Sequence, residues 1–447
     1  MPEYLRLQKA SVPEYSFATI QGRLFLVATS FPGKLNKREN CFDITAYITV
    51  LLAIKGVHYR QYQLWMCDVP RQRILIITRN LPPLVGGMER LNWHMADELS
   101  RYADVHVIGP SGSKARKPQA VQLSEAPLSP LPLFLFVTLV KTVWTALKYR
   151  PHVILAGSGL TAPFAWLASK LCGARSAAYL HGFDITAKNC IYQSLWVTTF
   201  KRLDRIIVNS TPTQKLALAA SVPEDRISIV YPGVTLPERP QPRERIDAFK
   251  KQHNLEHKKI LLSVGRLTTR KGLAEFVGLA LPEIVRQVPE TILLVVGEAP
   301  RHSLGAGIQS RETIERRAAE LGLSDHILFL GVITDPTQLA VVYEAADLHV
   351  FPVRHIPGDP EGFGMVAIEA AAHGLPTVAF ATGGVVDAVK SEQSGHLVEK
   401  DNYEKFRDLV ISELKKPTDS ETPRIFSKKF AWERFGASIA RAISASS

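Results

Sequence analysis

The run Pro357-Gly-Asp-Pro-Glu-Gly-Phe-Gly-Met-Val-Ala-Ile-Glu369 sets two carboxylates, Glu361 and Glu369, eight residues apart around a glycine-flanked Phe363. A helix from Gly364 onward would hold acids at that spacing ~12 Å apart, beyond the ~5–9.5 Å at which a carboxylate pair works on one glycosidic bond. The two acids therefore have different work. Glu361, near the helix start, is placed to touch a sugar, and Glu369, deeper in the helix, to accept hydrogen bonds from ribose hydroxyls. Compensation of a positive helix end explains Glu361 as well. Glu369 resists a purely structural account, because a carboxylate between Ile368 and Ala370–Ala372 faces an apolar setting and needs partners.

A second constellation is Leu262-Ser-Val-Gly-Arg-Leu-Thr-Thr-Arg-Lys-Gly272, where Arg266 and Lys271 stand five residues apart around a loop. A guanidinium fork and an ammonium so placed can grip one diphosphate and stabilise it as a leaving group, although a solvated basic turn has the same composition. Gly86-Gly87 opens an amphipathic run, where bare backbone can approach a phosphate at a positive helix end; a tight turn accounts for the pair equally. His181-Gly-Phe-Asp184 follows an apolar run, a place where an imidazole meets ligand more readily than core, and Asp184 can serve as a plain helix cap.

These groups need a frame that brings loops from distant segments together. From Arg73 onward, short β-branched runs alternate with helical patterns, which predicts parallel α/β layers. Strands are expected at Ile74–Thr78, Val105–Ile108, His152–Ala156, Ala177–Leu180 and Arg205–Asn209. After a proline-rich linker, Pro237–Pro242, the pattern restarts with Ile260–Val264, Ile292–Val296, Ile327–Leu330, Leu348–Phe351 and Thr377–Phe380. In such sheets ligands bind beyond the carboxyl ends of the strands, where all four constellations fall.

The expected organisation is an N-terminal extension over 1–72, a first α/β domain over 73–240, a second over 241–425 and a final segment over 426–447. The extension fits the α/β scheme poorly, although Arg23–Thr29 reads as a strand and Thr45–Lys55 is apolar. Met66, just ahead of the first convincing strand, is where the working fold would begin.

Charge is placed unevenly: residues 1–240 carry 28 Lys and Arg against 15 Asp and Glu, and residues 241–447 carry 26 against 27. A basic first half fits contact with something anionic, such as a phospholipid surface or phosphorylated acceptor, or an ordinary solvated face. Aromatic residues are not interleaved with the basic ones as a nucleic-acid stacking platform requires, so no nucleic-acid partner is expected. Cys41, Cys67, Cys172 and Cys190 show no C-x-x-C spacing, which suits reduced thiols in the cytoplasm. Met1–Thr19 lacks the basic region and apolar core of a secretory signal. Leu131–Leu147 is the most apolar stretch, but Lys141 interrupts it, so it is read as a buried or interfacial helix.

Taken together, Gly86-Gly87-Met-Glu89, His181-Gly-Phe-Asp184, Ser263-Val-Gly-Arg266 with Arg270-Lys-Gly272, and Glu361-Gly-Phe-Gly-Met-Val-Ala-Ile-Glu369 resemble glycosyltransferase family 4, retaining enzymes of the GT-B fold. The resemblance covers about Arg73 to Ser447. Arg354 and Pro357-Gly-Asp-Pro360 are most similar to mannosyltransferases acting on phosphatidylinositol-type or polyprenyl-type lipids.

That resemblance implies two Rossmann-like domains facing a central cleft, an acceptor domain over 73–240 and a nucleotide-sugar-binding domain over 241–425, with a C-terminal helix over 426–447 crossing back to the first, and it implies roles. Arg266 and Lys271 would hold the donor diphosphate and Gly86 and Gly87 would approach it. Glu369 would hold the ribose, while Glu361 and the amides around Phe363 and Gly364 meet the donor sugar. His181 would touch the sugar from the opposite domain, and Gly297 and Val332 would flank the base. The chain departs from relatives at Val353 and in the long Gly297–Gly307 stretch, which leaves both a GDP- and a UDP-linked donor open. No Asp-x-Asp pair occurs in the stretches assigned to the donor, so no metal is expected and two cations take its place. The expected activity is retaining hexosyl transfer, with mannose the candidate hexose, to a lipid-linked or saccharide acceptor for glycolipid or polysaccharide synthesis. It would take place in the cytoplasm, peripheral at the inner face of an anionic membrane. The rivals are a nucleotide-sugar epimerase or phosphorylase on the same architecture and a basic nucleic-acid-binding protein.

Overall fold

The computed structural model describes residues 71–299 and 307–445 and, before them, the backbone of two strands. The chain divides into two compact units, Met1–Pro70 and Arg71–Ser447. In the first, β1 (Tyr15–Ile20) pairs antiparallel with β2 (Arg23–Ala28). The apolar run Thr45–Lys55, Met66, Cys41, Cys67 and part of the Gly297–Gly307 stretch lie outside the described residues.

The second unit holds two parallel sheets. The first runs β5-β4-β3-β6-β7-β8-β9, built from β3 (Gln72–Ile77), β4 (Ala103–Pro110), β5 (Gln122–Ala126), β6 (Val153–Ala156), β7 (Arg175–Leu180), β8 (Arg205–Val208) and β9 (Ile227–Ile229). The second runs β12-β11-β10-β13-β14-β15, from β10 (Lys259–Val264), β11 (Thr291–Val296), β12 (Ile327–Gly331), β13 (Leu348–Phe351), β14 (Thr377–Phe380) and β15 (Gly395–Val398). Helices cover both faces of a parallel sheet, so its central strands carry unbroken apolar runs. Ile74–Ile77, Val153–Ala156 and Ile206–Val208 are all fully or nearly fully buried. All ten strands expected from the sequence are present within a residue or two. The sequence reading passed over β5, β9 and β15, which close three of the four sheet edges.

Four helices position the site or its surroundings. Helix α1 (Gly87–Ser100) follows the loop after β3 and turns Leu91, Met95 and Leu99 into the core. Helix α2 (Leu131–Tyr149) is the apolar stretch, and its faces are inverted: Phe134, Thr138, Thr142, Thr145 and Ala146 point inward, while Phe136, Val140, Trp144 and Leu147 are more than half exposed. Among the described residues it is the one helix long and apolar enough to cross a membrane by length and composition. Helix α3 (Met365–Ala372) carries Glu369. Helix α4 (Trp432–Ser444) packs on α1 and sends Phe435, Ile439 and Ile443 into the core of the first sheet.

The chain passes between the sheets twice, at 230–242 and 428–432. The two crossings touch: Val234 N–H donates to Phe430 O at 2.7 Å, and Trp432 lies where any β-carbon on Gly233 would collide with it, 2.1 Å away.

Candidate active site in the cleft

The carboxyl ends of the two sheets face each other, and the loops beyond them touch. Gly182 lies against Pro360 and Gly362, Thr186 Oγ1 donates to Gly358 O at 3.1 Å, and Gly87 approaches Met365. Arg90, on α1, forms an ion pair with Glu369, on α3. His181 and the Glu361 motif, from opposite halves of the chain, are therefore neighbours.

Beyond β10, Arg266 is exposed, and Thr269–Lys271 forms a single 3-10 turn that closes at Gly272 with φ 68°. A β-carbon at Gly272 would sit 2.2 Å from Pro352 O, so the turn needs glycine both for its dihedral and for its closeness to the end of β13. The turn delivers Lys271 Nζ to Glu361 Oε2 at 3.0 Å, with the ammonium 4.6 Å above the Phe351 ring. Arg270 Nε reaches the same oxygen at 3.1 Å, and its Nη1 pairs with Asp359. Three cations, Arg266, Arg270 and Lys271, thus stand against two carboxylates, which leaves positive charge at the mouth of the loop.

Burial pushes the Glu361 carboxyl up, but Lys271, Arg270 and Arg266 outweigh it and hold the group down at about 2. A depressed carboxyl contributes stability that is full above its unfolded value and is lost as pH falls through the folded one. Glu361 is therefore expected to stay ionised across about pH 5–8 and to add no limb to the pH dependence of kcat/KM there. A Glu361→Gln variant should change the height of the pH–rate profile and keep its shape; steady-state assays across that range check this.

The motif follows the sequence reading to within one residue at the helix start. The helix begins at Met365, and Gly364, with φ 94°, breaks the chain before it, so Glu361 sits in a loop and Glu369 about one turn into α3. The Phe363 side chain is buried, stacked on Tyr231 and edge-on to Phe430, which anchors the loop. Gly384 N–H donates to Glu361 O at 2.8 Å and pins the loop from beneath.

Glu369 has the partners its apolar setting demands: Tyr343 Oη donates to Oε2 at 3.2 Å, and Arg90 holds Oε1. His181 is buried, with Nε2 3.0 Å from Gly157 O. A carbonyl only accepts, so Nε2 is the donor in that contact and Nδ1 is the ring nitrogen left for a ligand. Asp184 Oδ2 accepts from the amides of His181 (3.1 Å) and Gly159 (3.0 Å), so it fixes the loop rather than facing a ligand. Gly86 and Gly87 do sit at the entrance to a helix, α1. Gly297, φ 131°, is glycine because a β-carbon would lie 2.0 Å from Gly265 O; Val332, about half exposed, follows Gly331 on the adjoining loop.

Sequence reasoning missed Arg90 and Tyr343 and gave Arg270 and Asp359 no role. Arg90 and Arg270 each adjoin a residue already singled out, Glu89 and Lys271, so adjacency was a usable signal; Tyr343, on another helix, left none.

Comparison with known proteins gives the family and the fold. The Glycosyltransferase Family 4 model matches residues 85–237, and the model described as Glycosyl transferases group 1 matches residues 245–430, together most of the chain. A GDP-mannose-dependent alpha-(1-6)-phosphatidylinositol monomannoside mannosyltransferase of Mycolicibacterium smegmatis is 26% identical over 394 residues, spanning 83% of this chain and 98% of its own. A D-inositol 3-phosphate glycosyltransferase of Segniliparus rotundus is 34% identical over 215 residues, 48% of this chain and 45% of its own. Among solved structures, Anabaena HepE in complex with UDP is similar with a TM-score of 0.69 and 20% identity, covering 83% of this chain and 100% of that one. Sucrose-phosphate synthase from Thermosynechococcus elongatus follows with a TM-score of 0.67 and 24% identity, covering 83% and 98%. Two parallel Rossmann-like sheets, motif loops meeting between them and a family match over each half lead to one conclusion: the chain belongs to the group 1, family 4 glycosyltransferases and is a hexosyltransferase of GT-B fold.

Proposed function

We propose that the enzyme transfers a hexose, mannose first among the candidates, from a GDP- or UDP-linked donor to a lipid-linked acceptor with retention of configuration. The observation that carries this reading is the surplus of cations beyond β10, beside Glu361 and across from His181. Arg266 and Lys271 hold the diphosphate against the positive end of α1, and Gly87 lets the backbone approach it. Glu361 and the amides of Phe363 and Gly364 hold the sugar, His181 contacts it through Nδ1, and Glu369 takes the ribose. Gly297 and Val332 flank the base. Because Glu361 stays ionised, it cannot protonate the leaving group; the cations stabilise the departing diphosphate, whose oxygen takes the acceptor's proton. No metal is required by this scheme. The mannosyltransferase relative and the UDP complex support the donor class. Thermal-shift screening of nucleotide sugars, followed by the best hit with a membrane extract, tests it: donor consumed without acceptor, or no transfer to lipid, overturns the reading.

The acceptor and the inverted faces of α2 together favour peripheral contact with an anionic membrane on the cytoplasmic side. Phe136, Val140 and Trp144 give the apolar contact and Lys148, 5.0 Å above the Trp144 ring, the charge. Lys141 is turned inward to Glu125 O and is not counted with it. Phe136→Ser with Trp144→Ser is expected to lower co-sedimentation with phosphatidylglycerol vesicles about tenfold while leaving the unfolding temperature nearly unchanged, since each removes one large exposed side chain. Unaltered sedimentation removes α2 from the membrane contact.

A further inference from the structure

Arg90 and Glu369 are 279 residues apart and come from opposite domains, yet their side chains meet at the position proposed for the donor's ribose. Glu369 is almost fully buried, and its two oxygens are taken by Arg90 and by the buried Tyr343 hydroxyl. Ribose hydroxyls arriving at this carboxylate compete with the guanidinium, not with Tyr343 alone. Arg90 is the side free to move: its side chain is 43% exposed against 12% for Glu369, and it stands on the first turn of α1, one residue beyond Glu89, which Asn80 Nδ2 fixes at 2.8 Å. The same first turn brings Gly87 against Met365, the first residue of α3, so Arg90 lies between the ribose position and the helix end proposed for the diphosphate.

We propose that Arg90 is a further donor-binding residue that changes partner with the state of the cleft. With no donor it closes the two domains through Glu369. When a nucleotide enters, the ribose hydroxyls take over Glu369 and the guanidinium moves to the donor's phosphates, exchanging one carboxylate for a more highly charged diphosphate. The exchange leaves no buried charge without a partner at either stage, which is the condition for burying such a pair at all. The inference rests on the ribose reading of Glu369, and the two can be told apart.

The test compares full-length parent with Arg90→Gln and Glu369→Gln by calorimetry. The ligands are GDP and UDP, with guanosine and uridine measured by displacement of whichever diphosphate binds the parent. Arg90→Gln is expected to bind the diphosphate about tenfold more weakly, the loss of one charge-assisted contact, while binding the matching nucleoside as tightly as the parent or tighter, because Glu369 has lost its competitor. Arg90→Lys, which keeps charge without the fork, should fall between. A parallel loss on nucleoside and diphosphate would mean a structural role for Arg90, and an unchanged diphosphate affinity would mean none; either overturns the proposal. If Glu369→Gln leaves nucleoside affinity untouched, the ribose reading fails by itself, whatever Arg90 does to the diphosphate.

Discussion

Arg266→Ala combined with Lys271→Met is expected to lower kcat/KM for the nucleotide sugar by about 10²- to 10⁴-fold. A hydrogen bond to a charged group contributes about 1.5–3 kcal/mol, two are removed, and about 1.4 kcal/mol is a factor of ten. The loss should fall on kcat as well as on KM, because negative charge on the diphosphate grows as the sugar departs and the two cations bind it most tightly then. Both substitutions are chosen to spare the fold. Arg266 is exposed, and with Lys271 gone the Glu361 carboxylate still has Arg270 at 3.1 Å, so no buried charge is stranded. Methionine keeps the length of the lysine stem over the Phe351 ring. Release of nucleoside diphosphate under steady state is the measurement, and turnover at the parental rate would remove the cation pair from the mechanism.

Gly362→Ala should cost nearly as much from a single methyl. A β-carbon at this position lies 2.4 Å from His181 O and 2.7 Å from Asn209 Nδ2, both across the cleft. The obstruction is therefore between domains and leaves each core untouched. The variant is expected to keep its unfolding temperature within a few degrees and to lose about 10²-fold or more in kcat, the scale set by misplacing reacting groups by about an ångström. Small-angle scattering with and without donor supplies the second measurement, since a blocked cleft keeps the same radius in both. Parental kcat would show that the His181 loop and the Glu361 loop do not need to touch during turnover.

Which parts were legible in the sequence follows from where the signal is local. Central strands such as β3, β6 and β11 are buried on both faces, so they must be written as unbroken aliphatic runs and were read directly. β5, β9 and β15 lie at sheet edges with one side partly open, and Gln122-Leu-Ser-Glu-Ala126 shows how little apolar character such a strand needs. The apolar content of α2 was plain, but not its inversion, because three threonines inside beside Phe134, with Phe136 and Trp144 outside, contradict the expectation that the greasier face turns to the core. The Arg266, Lys271, Glu361 and Glu369 loops were found because a strand end followed by glycine and charge is a local pattern. The pairing of Arg90 with Glu369 was not, because a contact across 279 residues has no spacing to read and adjacency to Glu89 marks the residue without its partner; Tyr343 lies 26 residues before Glu369 on another helix. Asp184 was seen with two readings open, and the amides of His181 and Gly159 on its carboxylate decide for the structural one.

The last helix of the chain alters what kind of folding unit the first sheet can be. Phe435, Ile439 and Ile443 lie in one core with Ile74, Leu91 and Met95, and Arg175 Nη1 donates to Ser444 O at 2.8 Å. A ribosome that has delivered every strand of the first sheet has still not delivered this piece of its interior, which arrives only after the whole second sheet has emerged. Early maturation of the first half during synthesis is thereby denied a finished interior, and heat should melt both halves in one cooperative step rather than in sequence.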